Sequence, residues 1–179
     1  LLTDAVAARL RAVGNVSPLI SVEGLETVND ERRGGSDVYA RSMAGVENCR
    51  NNGLIAGVAT SVCRNNIDDL ASEKFLWELV ERGVLYAWYY IYRPVGPDPA
   101  PELALRPEEV LRLRRFMVEA RTRLPLVIVD AYWDHEGRGL CPAVVGIGHH
   151  IGPGGDIEPC PPVQFSGENV GDGSDIEGA

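Results

Sequence analysis

Lysine is almost missing from this 179-residue chain: of its 17 basic residues all but Lys74 are arginine, and beyond Arg138 there is neither lysine nor arginine. A barrel aldolase needs a lysine amine at a strand end to form a Schiff base, and Lys74 falls at the start of a predicted helix, which counts against that chemistry. The formal charge is −9, and Asp156, Glu158, Glu168, Asp172, Asp175 and Glu177 supply two thirds of it. Such a balance excludes nucleic acid as a main partner, because phosphate binding needs clustered positive charge. The one local basic group, Arg112, Arg114, Arg115, Arg121 and Arg123, lies on a predicted helix and reads as a solvated face. No stretch approaches the roughly 18 uninterrupted apolar residues of a membrane span, so no membrane partner is expected. No secretory signal is visible either, which points to the cytoplasm and disfavours a disulfide among the four cysteines. The chain begins with Leu1 rather than Met and is read as a piece of a longer one.

Apolar residues make up 45% of the chain, enough for a real core and one domain with an appendage. Thr3 caps a short helix with Val6, Leu10 and Val13 inward, and Gly14 ends it. A strand follows from Ser17 to Glu23, then a polar loop over 28–35. Ser36 caps a helix reaching about Asn52, with Tyr39, Met43, Val46 and Cys49 inward and Gly53 at its close. Leu54 to Val62 is a second strand, nearly all apolar, as expected when both faces are covered. Ser72 caps a helix carrying Phe75, Leu76, Leu79 and Val80, and Gly83 closes it. Val84 to Tyr92 is the third strand. Pro94, Pro97, Pro99 and Pro101 mark a loop, and Pro107 opens a helix with Val110, Leu113, Phe116, Met117 and Ala120 inward. Leu126 to Tyr132 is the fourth strand. The crossovers are long enough for parallel connections, so the expected fold is α/β: about four parallel βα units, either half of an eight-stranded barrel or a small open sheet.

In either architecture chemistry belongs at the carboxyl ends of the strands. Polar residues collect there: Ser21 and Glu23; Thr60, Ser61 and Asn66; Tyr92, Arg93 and Gly96; Asp130, Asp134 and His135. Tyr86, Trp88, Tyr90 and Tyr92 share one face of the third strand and Leu85, Tyr89 and Ile91 the other; most read as core, and whichever set faces a barrel interior is placed to contact substrate. From Leu140 to Cys160 the chain changes character. Cys141 and Cys160 bracket eighteen positions, eight of them Gly or Pro. So composed, the stretch is expected to owe its shape to something besides backbone ladders: a disulfide, a metal, or packing of Val144, Val145, Ile147, Ile151 and Ile157. His149 and His150 are adjacent and so point to opposite sides of an extended segment, unlike spaced metal-binding histidines. Cys49 reads as packing, and Cys63 ends a strand at the presumed active face.

The succession Ser-Val-Glu-Gly (21–24), Asp-Glu-Arg-Arg-Gly-Gly (30–35), Arg-Asn-Asn-Gly (50–53), Gly-Val-Ala-Thr-Ser-Val-Cys-Arg-Asn-Asn (57–66) and Tyr-Arg-Pro-Val-Gly (92–96) resembles the later half of a radical S-adenosylmethionine enzyme barrel. Cys141, Gly155 and Cys160 resemble the opening of the SPASM or Twitch region of that family. The resemblance implies a partial (β/α) barrel over 1–135 and a cysteine region over 136–166, and the composition of the rest, 167–179, reads as an acidic glycine-rich disordered tail. It implies S-adenosylmethionine and a [4Fe-4S] cluster as cofactors. Ser21 and Glu23 would face the ribose or amino-acid part, Ser61 and Asn66 would extend that wall, and Pro94 and Gly96 would lie by the adenine. Cys141 and Cys160 would be metal ligands of an auxiliary iron-sulfur cluster. The partners implied are a small-molecule or peptide substrate and an electron donor such as a flavodoxin or ferredoxin. The family's Cys-x-x-x-Cys-x-x-Cys motif occurs nowhere in the chain, so the piece is expected to be inactive alone. The alternative is a self-contained α/β binding module whose cysteine loop holds zinc or is simply packed.

Overall fold

The structure, a computed structural model, describes residues 2–129, 148–160, 163 and 165–172. The chain divides into two compact units, Leu1–Pro94 with Ala100–Asp130, and Val95–Pro99 with Ala131–Ala179.

The first unit runs α1 (Asp4–Val13), β1 (Leu19–Ser21), α2 (Glu26–Arg33), α3 (Val38–Asn51), β2 (Gly57–Val62), α4 (Ile67–Leu70), α5 (Glu73–Glu81), β3 (Tyr86–Ile91), α6 (Pro107–Arg123) and β4 (Val127–Val129). All four strands pair in parallel in the order β1-β2-β3-β4. Leu19 is level with Gly57, Gly57 with Tyr86, and Tyr86 with Val127. The parallel core expected from the alternation is therefore present, and it is consistent with a partial (β/α) barrel.

Local signals explain most element ends. Thr3 Oγ1 accepts from the N–H of Val6, and Ser72 Oγ from that of Phe75. Gly14, Gly53 and Gly83 sit in the left-handed region that stops a helix. Pro107 opens α6, and the Glu109 carboxylate folds back 2.7 Å onto the N–H of Arg106.

The two faces of the sheet differ. Val22, Val58, Val62, Ala87, Tyr89 and Ile128 point into an apolar core shared with Met43 and Val46 of α3, Phe75 and Leu79 of α5, and Leu113 and Met117 of α6. Tyr89 is fully enclosed, and its phenol donates to the carbonyl of Leu70 at 2.8 Å. By the two-residue period, Leu19, Ser21 and Glu23, then Gly57, Ala59 and Ser61, then Tyr86, Trp88 and Tyr90, then Val127 and Val129 lie on the opposite face. This inner face is where a closed barrel keeps its interior.

Four expectations need correcting. The segment over 28–35 belongs largely to α2, a helix whose buried residue is Asn29 and which therefore shows no apolar stripe. Ser36 does not cap α3: the residue before it is Asp37, in the left-handed region at φ 59°, and Asp30 Oδ1 accepts from the N–H of Tyr39 instead. In α1 the buried residue is Ala7, while Val6 and Val13 are exposed, because a small side chain allows close packing on α3. The strands are shorter than the apolar runs that announce them, and the expected end of the fourth strand lies outside the described residues.

In the second unit, β5 (His150–Ile151) pairs antiparallel with β6 (Ile157–Glu158) around a turn closed by the N–H of Gly155 on the carbonyl of Gly152. A backbone ladder thus does shape the described part of the glycine-rich stretch, because Gly155 takes a positive φ that the turn needs. Among the described residues no helix is long and apolar enough to cross a membrane.

Candidate functional site

The carboxyl ends of β1 and β2 meet in a buried polar cluster. Val22 donates its N–H to the carbonyl of Ala59, so the next residue, Glu23, leaves the ladder and turns its carboxylate toward β2. Glu23 Oε2 accepts from the N–H of Ser61 at 2.9 Å, a charge-assisted bond that ties the two strand ends together. The backbone of Glu23 is held on both sides. Its N–H donates to Asn29 Oδ1 at 2.8 Å and its carbonyl accepts from Asn66 Nδ2 at 2.9 Å. Asn66 also donates to the carbonyl of Ser61 and accepts from the N–H of Cys63, so one amide serves three backbone groups. Glu23, Asn29 and Asn66 are all buried. Their cost of desolvation is met because each is bonded, and the cluster is consequently rigid.

Arg32, on the last turn of α2, reaches into this cluster. Its Nη1 donates to Asn65 Oδ1 at 2.9 Å, and its Nε lies 3.9 Å from Glu23 Oε2, close enough for charge attraction but beyond a hydrogen bond. Nε is buried without a hydrogen-bond partner among the described residues. Cys63 completes the group, with Sγ 2.8 Å from Asn65 Oδ1. Burial pushes its thiol pKa up, and the Arg32 charge only partly offsets this. Under the cluster, Asp69 Oδ2 accepts from the N–H of Leu25 at 2.9 Å and so caps α2 from 44 residues away in sequence. The arrangement offers an anion-seeking guanidinium beside fixed acceptors at strand tips, which suits a ligand bearing both a carboxylate and hydroxyl or ammonium groups.

The chain shares its fold with SuiB. Over 99% of this chain and 46% of Streptococcus suis SuiB the TM-score is 0.74 at 14% identity. The crystal structure of that protein bound to S-adenosylmethionine aligns at 0.71. Native anSMEcpe with bound AdoMet aligns at 0.66 and 12% identity, over 99% of this chain and 52% of that one. The likeness is distant but consistent across radical-SAM/SPASM-family enzymes, and this chain spans about half the length of each. No protein-family model matches the chain, and no curated protein sequence matches it.

On this SuiB-like frame the residues anticipated from sequence separate. Glu23, Ser61 and Asn66 come together in the cluster. Ser21 ends β1 exposed on the inner face, two residues before Glu23. Pro94 follows β3 half-buried in the first unit, whereas Gly96 is exposed, has φ 101°, and belongs to the second unit. Cys141 lies outside the described residues, as do Asp130, Asp134 and His135. Cys160 is a half-buried free thiol in an isolated bridge to Val163. His149 is exposed, and His150 Nδ1 lies 2.7 Å from Glu158 Oε2, so the two histidines do part company as their adjacency requires. Cys49 is packed in the core. Asn29, Arg32 and Asp69 were not anticipated as site residues. The signal that points to Arg32 is the Asp-Glu-Arg-Arg-Gly-Gly phrase already quoted, but only a helix there aims the side chain inward.

A cavity of about 610 Å³ between α2, α3 and α5 is lined by Tyr39, Met43, Lys74 and Glu78 and borders the Leu25–Asp69 contact. Its polar groups are largely matched: Tyr39 Oη donates to Glu78 at 2.6 Å, and Arg82 pairs with the same carboxylate at 3.1 Å. Burial, followed by that carboxylate, drives the Tyr39 pKa far above its ordinary value.

Proposed function

We propose that this chain is the later half of a radical S-adenosylmethionine barrel, and that the cluster at the tips of β1 and β2 receives the amino-acid and ribose part of S-adenosylmethionine. The observation carrying this reading is the buried Arg32 Nε, a donor still in need of an acceptor, beside Glu23 and Ser61. A carboxylate of the ligand would satisfy it, Glu23 would meet the ammonium group, and the side chains of Ser21 and Ser61 would meet the ribose hydroxyls. The adenine is assigned to the stretch of the first unit that ends at Pro94. When bound and reduced through an iron-sulfur cluster, S-adenosylmethionine supplies a 5′-deoxyadenosyl radical able to abstract hydrogen from a substrate, here a small molecule or peptide.

The chain's own residues do not fit a cluster of that kind. Among the described residues no three His, Cys, Asp or Glu converge to hold a metal, and the three-cysteine motif is absent from the sequence. Its ligands are assigned to a segment of the intact protein outside these 179 residues, and an auxiliary cluster is assigned to Cys141 and Cys160 with further ligands. A flavodoxin or ferredoxin would reduce the intact enzyme. For this chain the testable act is binding. Calorimetric titration with S-adenosylmethionine should give saturable binding that Arg32→Ala weakens about tenfold or more, since a bond to a charged group contributes roughly 1.5–3 kcal/mol. The exposed neighbour Arg33 replaced by alanine should leave it unchanged. Equal affinity in Arg32→Ala removes the assignment.

A further inference from the structure

The inner face carries chemistry that cofactor binding does not use. Its positions on β2, β3 and β4 hold no charged side chain, and in register Ala59 is level with Trp88 and Ser61 with Tyr90. Small side chains on the central strand thus flank large rings on the next one. The two rings meet edge to face, centroids 5.5 Å apart at 61°, and both are half-buried. They form a corner of π surface beginning beside Ser61, whose N–H is held by Glu23. Below, Tyr86 lies over Gly57, where a Cβ would collide with its ring, and its phenol is 2.8 Å from Ser17 Oγ. The corner is therefore closed toward the amino ends of the strands.

We propose that Trp88 and Tyr90 are specificity-determining residues that hold an uncharged aromatic or aliphatic group of the substrate beside the strand-tip cluster. The inference rests on the function proposed above, because it places the carbon that loses hydrogen next to the bound cofactor. Two physical reasons select that class. With Glu23 and Arg32 taken up by the cofactor in the function proposed above, a charge pressed onto the half-buried rings and Ala59 finds no opposite charge on these three strands, and desolvating it is costly. Flat apolar surface gains dispersion and edge-to-face contact there, and excludes water from a radical step.

The test uses the 179-residue chain with S-adenosylmethionine present and three phenols that share a two-carbon tail and differ in what ends it: 4-ethylphenol, with none, tyramine, with an ammonium, and 3-(4-hydroxyphenyl)propionate, with a carboxylate. The indole N–H resonance of Trp88, assigned by its loss in Trp88→Phe, reports binding by NMR. The expected result is a saturable shift with 4-ethylphenol, with affinity about tenfold above either charged relative. Tyr90→Leu and Ser61→Leu should each abolish the shift, the second by filling the corner, while Tyr90→Phe keeps it. Trp77→Phe, on the exposed side of α5, should leave it unchanged. If Tyr90→Leu unfolds, Ser61→Leu decides. No shift with 4-ethylphenol, tighter binding of tyramine or the propionate, or an unaltered shift in Ser61→Leu overturns the proposal. Loss of the Trp88 response with S-adenosylmethionine binding intact overturns this inference alone. A Trp88 response without cofactor binding overturns the cofactor reading instead.

Discussion

The two faces of one four-stranded sheet are built by opposite rules. Against the helices every strand position is apolar or, like Tyr89, has its single polar atom matched, and the middle of the layer is closed to water. On the inner face small, aromatic and hydroxyl side chains alternate in rows, many of them only half-buried. Towards the carboxyl tips polar groups appear and are pinned by bonds to backbone. Stability thus resides on the helix side, and the inner face is free to vary its chemistry.

That contrast can be broken most forcefully from the helix side. Leu79 is completely enclosed, and Leu79→Ala should cost about 2–5 kcal/mol in chemical denaturation, since it leaves a cavity in a packed layer. An equal loss from Trp88→Ala would mean that the two faces share the load. A smaller effect is expected where the inner face is tightest. Gly57→Ala drives a methyl into the Tyr86 ring and should cost about 1–3 kcal/mol, with much of it recovered in the double variant carrying Tyr86→Ala. Additive losses in that cycle would show that the crowding lies elsewhere.

The smallest expected effect is behind the helix layer, where α2 meets the start of α3, and depends on pH. The N–H of Tyr39 holds the Asp30 carboxyl below its ordinary pKa. A carboxylate lowered on folding adds stability above its unfolded pKa and loses it as pH falls through the lower folded value. Between neutral pH and about pH 3 the wild type should therefore lose more stability than Asp30→Asn, measured by urea midpoints across that range. Identical slopes would mean the bond to Tyr39 has no energetic weight.

Much of the fold is legible in the chain. Alternating apolar runs and helical stripes place β1 to β4, α3, α5 and α6 in order, because each buries apolar side chains with its own period, and Gly14, Gly53 and Gly83 mark helix ends by their positive φ. The cluster is half legible. Glu23, Ser61 and Asn66 are polar residues at the ends of apolar runs, and a parallel sheet must gather such ends. α2 is hidden for the converse reason: its buried face is Asn29, its start is capped by Asp69, and neither has a signature within the helix itself.

Residue order alone determined that four parallel strands alternate with helices and that their polar ends would converge, since period and strand length are local properties of side chains. Only the tertiary structure decided which face of β3 turns inward, that Arg32 stands over Glu23 with an unmatched Nε, and that Asp30 rather than Ser36 meets the start of α3. Those outcomes depend on contacts between residues far apart in sequence or on the facing of a whole strand, and a hydrogen bond across 38 residues, like that from Ser61 to Glu23, leaves no trace in the neighbours of either partner.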